Sequence, residues 1–254
     1  MNLSGASGAA EDCGQDNVPG GKLAVLFDCD GVLVNSEEVI FAADYVLMQE
    51  LGMRYTRREY AAISIGGHSF PMLLQRLNED HMAIHGRRLP ARFGNMMADR
   101  YGLLLHREMR PIEAITPFLK DLRSARVPFA VATNAGTNST HWKLEHAGLS
   151  DYFNGHVYSR EMVARPKPHP DVYLFAAAKL GHDAKDCFVV EDSVTGVTAG
   201  AAAGATVIGY TGGNHREADY GDDLRAAGAV YMASDMRDVA ALIMKRIARG
   251  PAMG

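Results

Sequence analysis

The chain has 254 residues, 47% of them hydrophobic and 22% charged, with a formal net charge of −4. That length holds one large domain or two packed ones, and the composition is that of globular proteins. The acidic balance offers nucleic acid no basic footprint, and no apolar run approaches the ~18 residues of a bilayer span, so neither nucleic acid nor membrane is an expected partner.

Residues 1–21 are rich in Gly, Ala, Asp and Ser and have neither a basic start nor an apolar centre. They read as a disordered tail, not a signal peptide. Cys13, Cys29 and Cys187 show no CxxC spacing, which predicts free thiols in a reducing, cytoplasmic compartment. A first strand over Leu23–Phe27 runs into Asp28 and Asp30, one residue apart, followed by Gly31. Two acids beside a glycine fit a solvated strand end, an Asx-type turn or a dipole partner for the next helix as well as they fit a site.

From 37 to 110 the texture is helical. Val39, Ile40, Ala43, Val46, Leu47 and Leu51 recur at helical spacing. Thr56 and Glu59 form a capping-box pattern, and Ser69-Phe70-Pro71 opens another helix. No segment there reads as a strand. His81 and His85 lie one turn apart, but without an intervening Glu or a third ligand they do not read as a metal site. Met96 and Met97 read as core filling. The expectation is an all-helical insertion over 37–110, interrupting a core made of 22–36 and 111–254. Leaving the sheet after its first strand, it would hang over that strand's carboxyl end as a lid.

Beyond 111, β-rich runs alternate with helical patterns. The runs are Phe129–Ala132, Val157–Ser159, Phe188–Val190, Thr206–Ile208 and Val230–Met232. Thr116-Pro117 reads as an N-cap with Pro at the first helical position, and Gly148 and Gly181 fall where helices should stop. The glycines at 196, 200 and 204 predict a helix packed closely on a sheet. Alternation of this kind predicts an α/β fold: a Rossmann-like parallel sheet covered by helices on both faces.

The strand ends carry the chemistry. Asp28 and Asp30 follow the first, Thr133-Asn134 the second, Lys167 the third in a Pro-rich loop, and Glu191-Asp192 the fourth. Parallel strands bring these ends to one edge of the sheet. Four carboxylates together call for a cation, and oxygen ligands alone point to Mg²⁺. A lysine and a hydroxyl facing that cation form a clamp for phosphoryl oxygens, and an aspartate can then act as a nucleophile.

DCDGVLVNSE, the Thr-Asn after the second strand, the lysine of RPKPHPDVY and VVEDSVTGV together resemble the haloacid dehalogenase superfamily. The likeness is to its branch with an α-helical cap, the β-phosphoglucomutase-like phosphatases, and extends over about 22–245. The resemblance implies that Asp28 attacks phosphorus and that Asp30 protonates the leaving group and then activates water. It also implies that Thr133 and Asn134 hold phosphoryl oxygens while Lys167 balances charge. Asp28, Asp192 and the carbonyl of Asp30 would hold Mg²⁺, with Glu191 supporting the metal shell or Lys167. Asn35, where Asp is frequent in the family, is expected to lie outside the direct contacts. The loop Gly66-Gly67-His68-Ser69 fits a plain turn between two helices, and the resemblance implies that it reaches the substrate and helps select it.

The expected activity is therefore Mg²⁺-dependent hydrolysis of a small phosphorylated metabolite, such as a sugar, polyol or hydroxy-acid phosphate, by a monomer or weak homodimer. A phosphosugar mutase and a catalytically silent binding module are the alternatives. Ile40 opposes the first, because mutases of the resembling family carry a His twelve residues after the nucleophile. The intact set of chemical groups opposes the second, and Asp30 opposes a dehalogenase.

Overall fold

The computed structural model describes residues 11–12, 23–64, 70–213 and 220–249. Among these, Asn35–Arg110 forms one compact unit and the residues on either side of it form the other.

The larger unit is built on a seven-stranded sheet: β1 (Glu11–Asp12), β2 (Ala24–Phe27), β3 (Phe129–Thr133), β4 (Val157–Ser159), β5 (Cys187–Glu191), β6 (Thr206–Tyr210) and β7 (Tyr231–Ala233). Their spatial order is β1-β7-β6-β5-β2-β3-β4. All pairs are parallel except β1 with β7. Every residue of β2, β3, β5 and β6 is buried, which is why these strands read as unbroken apolar runs rather than alternating ones. From β2 the chain steps to β3 and β4 on one side, then returns to lay β5, β6 and β7 on the other. The order reverses between β2 and β5, where Phe27 pairs with Val190, so a crevice opens beyond the ends of those two strands.

The sequence left β1 unassigned, within the segment expected to be disordered. Glu11 pairs with Met232 and Asp12 with Tyr231, so the sheet has an antiparallel edge where only parallel strands were expected. The cause is the open edge of β7, whose backbone groups accept any extended segment whatever its side chains.

The helices of the sheet unit are α5 (Ile115–Ser124), α6 (Thr137–His146), α7 (Ser150–Phe153), α8 (Asp171–Leu180), α9 (Val194–Ala202), α10 (Tyr220–Ala226) and α11 (Met236–Arg249). Gly148 and Gly181 terminate α6 and α8 with φ of 68° and 77°, as their positions suggest. Helix α5 starts one residue before the expected cap, so Thr116 and Pro117 lie inside its first turn. Proline is tolerated there because the first N–H groups have no intrahelical partner. On α9 a Cβ at Gly200 would come within 2.9 Å of Val207 and 3.2 Å of Val189, as close packing on the sheet requires. Gly204 instead lies beyond the helix with φ of 81°, where a Cβ would meet no atom within 4 Å, and serves the turn. Cys29 and Cys187 are buried free thiols.

The second unit holds α1 (Ser36–Glu50), α2 (Arg57–Ser64), α3 (Phe70–His85) and α4 (Phe93–Glu108) and no strand among its described residues. Its core gathers Phe41, Met48, Met53, Tyr60, Leu73, Leu77, Leu89, Phe93 and Met97. The capping box forms as read: Thr56 N–H donates to Glu59 (2.7 Å) and Glu59 N–H to the Thr56 hydroxyl (3.2 Å). Helix α1 is phased differently from its expected stripe. It buries Val39, Phe41, Asp44 and Met48 and leaves Val46 50% exposed. The displacement follows from Asp44, a carboxylate 1% exposed that accepts hydrogen bonds from Tyr60 (2.9 Å) and Tyr101 (2.5 Å). Burial pushes its pKa up to about 6, although both hydroxyls and the nearby Arg100 favour the ionised form. Met97 fills the core whereas Met96 is half exposed. The His81 ring Nδ1 lies 2.8 Å from the Arg87 carbonyl and the His85 ring Nε2 2.9 Å from that of Leu51, so each imidazole has a backbone partner.

The ends of each unit are tied where the chain passes between them. In the sheet unit Val34 bridges Pro111, and Ile112 N–H donates to Leu33 (2.9 Å). In the helical unit Asn35 N–H donates to the Arg110 carbonyl (3.1 Å) and Arg110 N–H to the Asn35 side chain (2.7 Å). Asn35 is therefore a tie between the two ends of the helical unit.

Candidate active site

The strand register builds the site. Asp28 N–H still bonds the Val190 carbonyl (3.0 Å), so Asp28 leaves β2 level with Glu191 at the end of β5. Lys167 bridges them: its Nζ lies 2.8 Å from Asp28 Oδ1 and 2.6 Å from Glu191 Oε1, with 2% of its side chain exposed. Burial works against this ammonium, but the charges of Asp28 and Glu191 more than compensate and raise its pKa well above the usual lysine value. Burial raises the pKa of Asp28. Lys167 opposes that rise, while Glu191, Asp192 and Asp30 add to it.

Two glycines make room for the acids. After Asp30 the chain turns at Gly31, with φ of 79°, where a Cβ would come within 2.1 Å of Asp192 Oδ2. At Gly196, in the first turn of α9, a Cβ would come within 1.6 Å of Glu191 Oε1. Side chains at these positions would displace the two carboxylates.

Both Glu191 oxygens are occupied. Oε1 accepts from Lys167 and from Tyr173 (3.0 Å), and Oε2 from the N–H and hydroxyl of Ser193, both at 2.9 Å. Asn134 forms a two-point clamp on the Lys167 main chain, accepting from its N–H (2.9 Å) and donating to its carbonyl (3.1 Å). The Thr133 hydroxyl, at the end of β3, accepts from Ala135 N–H (3.1 Å). Asp30 meets Lys143 of α6, with Nζ 2.5 Å from Oδ1. Burial disfavours that charge too, and the Asp30 carboxylate restores it.

Oxygens of Asp28, Glu191 and Asp192 lie within 4.8 Å of one another, all on buried residues. With Asp30 they make four carboxylates against the two ammonium groups of Lys143 and Lys167, leaving two negative charges, the complement of one divalent cation. Asp28, Glu191 and Asp192 are the side chains whose grouped oxygens could hold it.

Asp28, Asp30, Thr133, Asn134, Lys167, Glu191 and Asp192 all lie at the carboxyl ends of β2 to β5 or in the loops that follow them. Gly66, Gly67, His68 and Ser69 lie outside the described residues. Sequence reasoning missed Lys143 and Tyr173. Lys143 shares a buried stripe of α6 with Thr140 and Leu144, where a lysine requires a partner, but only the structure shows that this stripe is buried.

Acids and a buried lysine gathered at the switch point of the sheet make a site for a cation and an anionic ligand. Residues 25–210 match the haloacid dehalogenase-like hydrolase family, and the chain belongs to it. It is 31% identical to a bifunctional riboflavin kinase/FMN phosphatase of Arabidopsis thaliana over 72% of its own length, but spans only 47% of that longer protein. It is 26% identical to the 6-phosphogluconate phosphatase of Escherichia coli, across 76% of this chain and 85% of that one. Among solved structures, a family hydrolase from Deinococcus radiodurans with bound phosphate and sodium superposes with a TM-score of 0.76. It is 34% identical, over 90% of this chain and 97% of that one. Among the described residues no helix is long and apolar enough to cross a membrane.

Proposed function

We propose that the protein hydrolyses a small phosphate monoester (a sugar, polyol or hydroxy-acid phosphate) in two steps through a phosphorylated Asp28. The observation that carries this reading is the placement of Asp28, buried at the switch point between Lys167 and the Glu191-Asp192 pair. The names of the two relatives, each a phosphatase of a small metabolite, support the substrate class.

Asp28, Asp192 and the carbonyl of Asp30 would hold Mg²⁺, which when bound offsets the clustered carboxylates and withdraws charge from a phosphoryl oxygen. Asp28 forms a bond to phosphorus as the ester oxygen leaves with a proton from Asp30. Water then attacks the same phosphorus and gives a proton to Asp30. The bond to Asp28 breaks, and inorganic phosphate departs. Thr133 donates to a phosphoryl oxygen and Lys167 faces its charge. Asn134 contributes by fixing the Lys167 backbone, and Glu191, fully hydrogen-bonded, by fixing the ammonium. Ile40 cannot move a proton, which favours release of phosphate over its return to a sugar.

The test is hydrolysis of p-nitrophenyl phosphate, followed by a screen of phosphorylated metabolites. Asp28→Asn is expected to lower kcat by about three orders of magnitude or more and to abolish the acid-stable phosphoenzyme. EDTA should stop turnover and Mg²⁺ restore it. Undiminished activity in Asp28→Asn refutes the nucleophile. Turnover that survives EDTA refutes the metal, and a screen with no substrate better than p-nitrophenyl phosphate refutes the metabolite class.

A further inference from the structure

Helix α6 turns Thr140, Lys143 and Leu144 inward, and Lys143 sits there with 9% of its side chain exposed. A leucine or methionine would fill such a position without desolvating a charge, so packing alone does not account for a lysine. Its ammonium lies 2.5 Å from Asp30 Oδ1, on a carboxylate 19% exposed. Lys167 serves Asp28 and Glu191 instead, so each aspartate of the DxD pair has a lysine of its own.

We infer that Lys143 is a positioning residue for Asp30, holding its carboxylate where it exchanges protons with the reacting groups. The inference rests on the two-step reaction proposed above. A carboxylate held by an ammonium is placed to accept, so the step most dependent on Lys143 is the second one. There a water O–H bond breaks, its proton goes to Asp30, its oxygen bonds to phosphorus and the bond from phosphorus to Asp28 breaks. Without Lys143 the carboxylate keeps its chemistry but loses its fixed orientation, and the phosphorylated form of Asp28 accumulates.

The full chain with saturating Mg²⁺ and p-nitrophenyl phosphate is the system, with Lys143→Met, Lys143→Arg, Asp30→Asn and Asp30→Asn/Lys143→Met as variants. Lys143→Met should lower kcat about 10- to 100-fold, part of what general acid–base catalysis contributes, and change KM by less than about twofold. Acid-quench mass spectrometry should find a larger phosphorylated fraction of Asp28. Lys143→Arg should return kcat to within about fivefold of the parent. In the Asp30→Asn background the methionine should cost less than about twofold more, because residues that act through one another are not additive. A full additional loss there overturns the inference, as does a kcat within twofold of the parent or an unchanged phosphorylated fraction. If the methionine variant does not fold, Lys143→Gln, which keeps a donor without the charge, is read by the same criteria. Activity retained by Asp28→Asn would defeat the underlying mechanism, whereas additivity beside an inactive Asp28→Asn defeats only the role of Lys143.

Discussion

Asp44 should make the stability of the helical unit depend on pH in a sense opposite to that of most carboxylates. Its side chain is 1% exposed, and the groups that face it are the Tyr60 hydroxyl of α2 and Tyr101 and Arg100 of α4. Its folded pKa is about 6 against an ordinary value of 3.8. Below the ordinary value Asp44 is protonated whether folded or unfolded, and its ionisation costs nothing. Between the two values the folded unit binds a proton that the unfolded chain has lost, so stability falls as pH rises. Above about pH 6 the whole cost is present, and about 2 pKa units amount to about 3 kcal/mol. Asp44→Asn cannot ionise, so this dependence should vanish. The amide instead places two donors where Oδ1 has no partner, a cost of about 1–3 kcal/mol that is the same at every pH. Hydrogen exchange of α1 and α4 peptides from pH 4 to 7.5, corrected for intrinsic rates, reports the opening free energy of each protein. The difference between parent and variant should move by about 2.4 kcal/mol in favour of Asn across that range, since part of the cost is already present at pH 4. Parallel profiles, or a ¹³C titration of the Asp44 carboxyl with a midpoint near 4, would refute the reasoning.

Two further substitutions probe the sheet unit. Gly31→Ala should cost about 1–2 kcal/mol for its left-handed backbone and, by pushing Asp192 aside, raise the Mg²⁺ concentration needed for half-maximal activity at least about tenfold. An unchanged Mg²⁺ dependence counts against Asp192 as a ligand. Tyr173→Phe removes one of four hydrogen bonds to Glu191 while keeping the ring that lies 4.7 Å from the Lys167 ammonium. Urea unfolding should show a loss of about 1.5 kcal/mol, the low end for a bond to a charged group, and no loss at all would mean that the hydroxyl is superfluous.

The acids at the strand ends were legible because their positions are local. Each follows an apolar run directly, and once the runs pair in parallel the sheet edge collects them. Lys143 and Asp44 were illegible for one shared reason. A hydrophobic pattern counts a charge as a solvent-facing position, so a charge on the buried side of a helix erases its own signal. What reverses the count is a partner elsewhere: Asp30, 113 positions away in sequence for Lys143, and Tyr101, 57 positions away for Asp44. The phase of α1 failed with Asp44, since a stripe drawn to avoid that residue includes Val46. Strand β1 was hidden differently: Glu11 and Asp12 have poor strand propensity and owe their conformation to the backbone of β7.

The tied ends at Val34–Pro111 and Asn35–Arg110 also bear on the order of folding. Strands β2 and β3 are neighbours in the sheet, yet the whole of Asn35–Arg110 separates them along the chain. Closing a flexible loop of that length costs about 4 kcal/mol of chain entropy before the first β2–β3 contact forms. A helical unit that has folded, with its two ends already hydrogen-bonded, behaves as a short turn and removes most of that cost. The insertion thus converts a distant strand pairing into a local one, and the β2–β3 pair forms faster when the helices fold first.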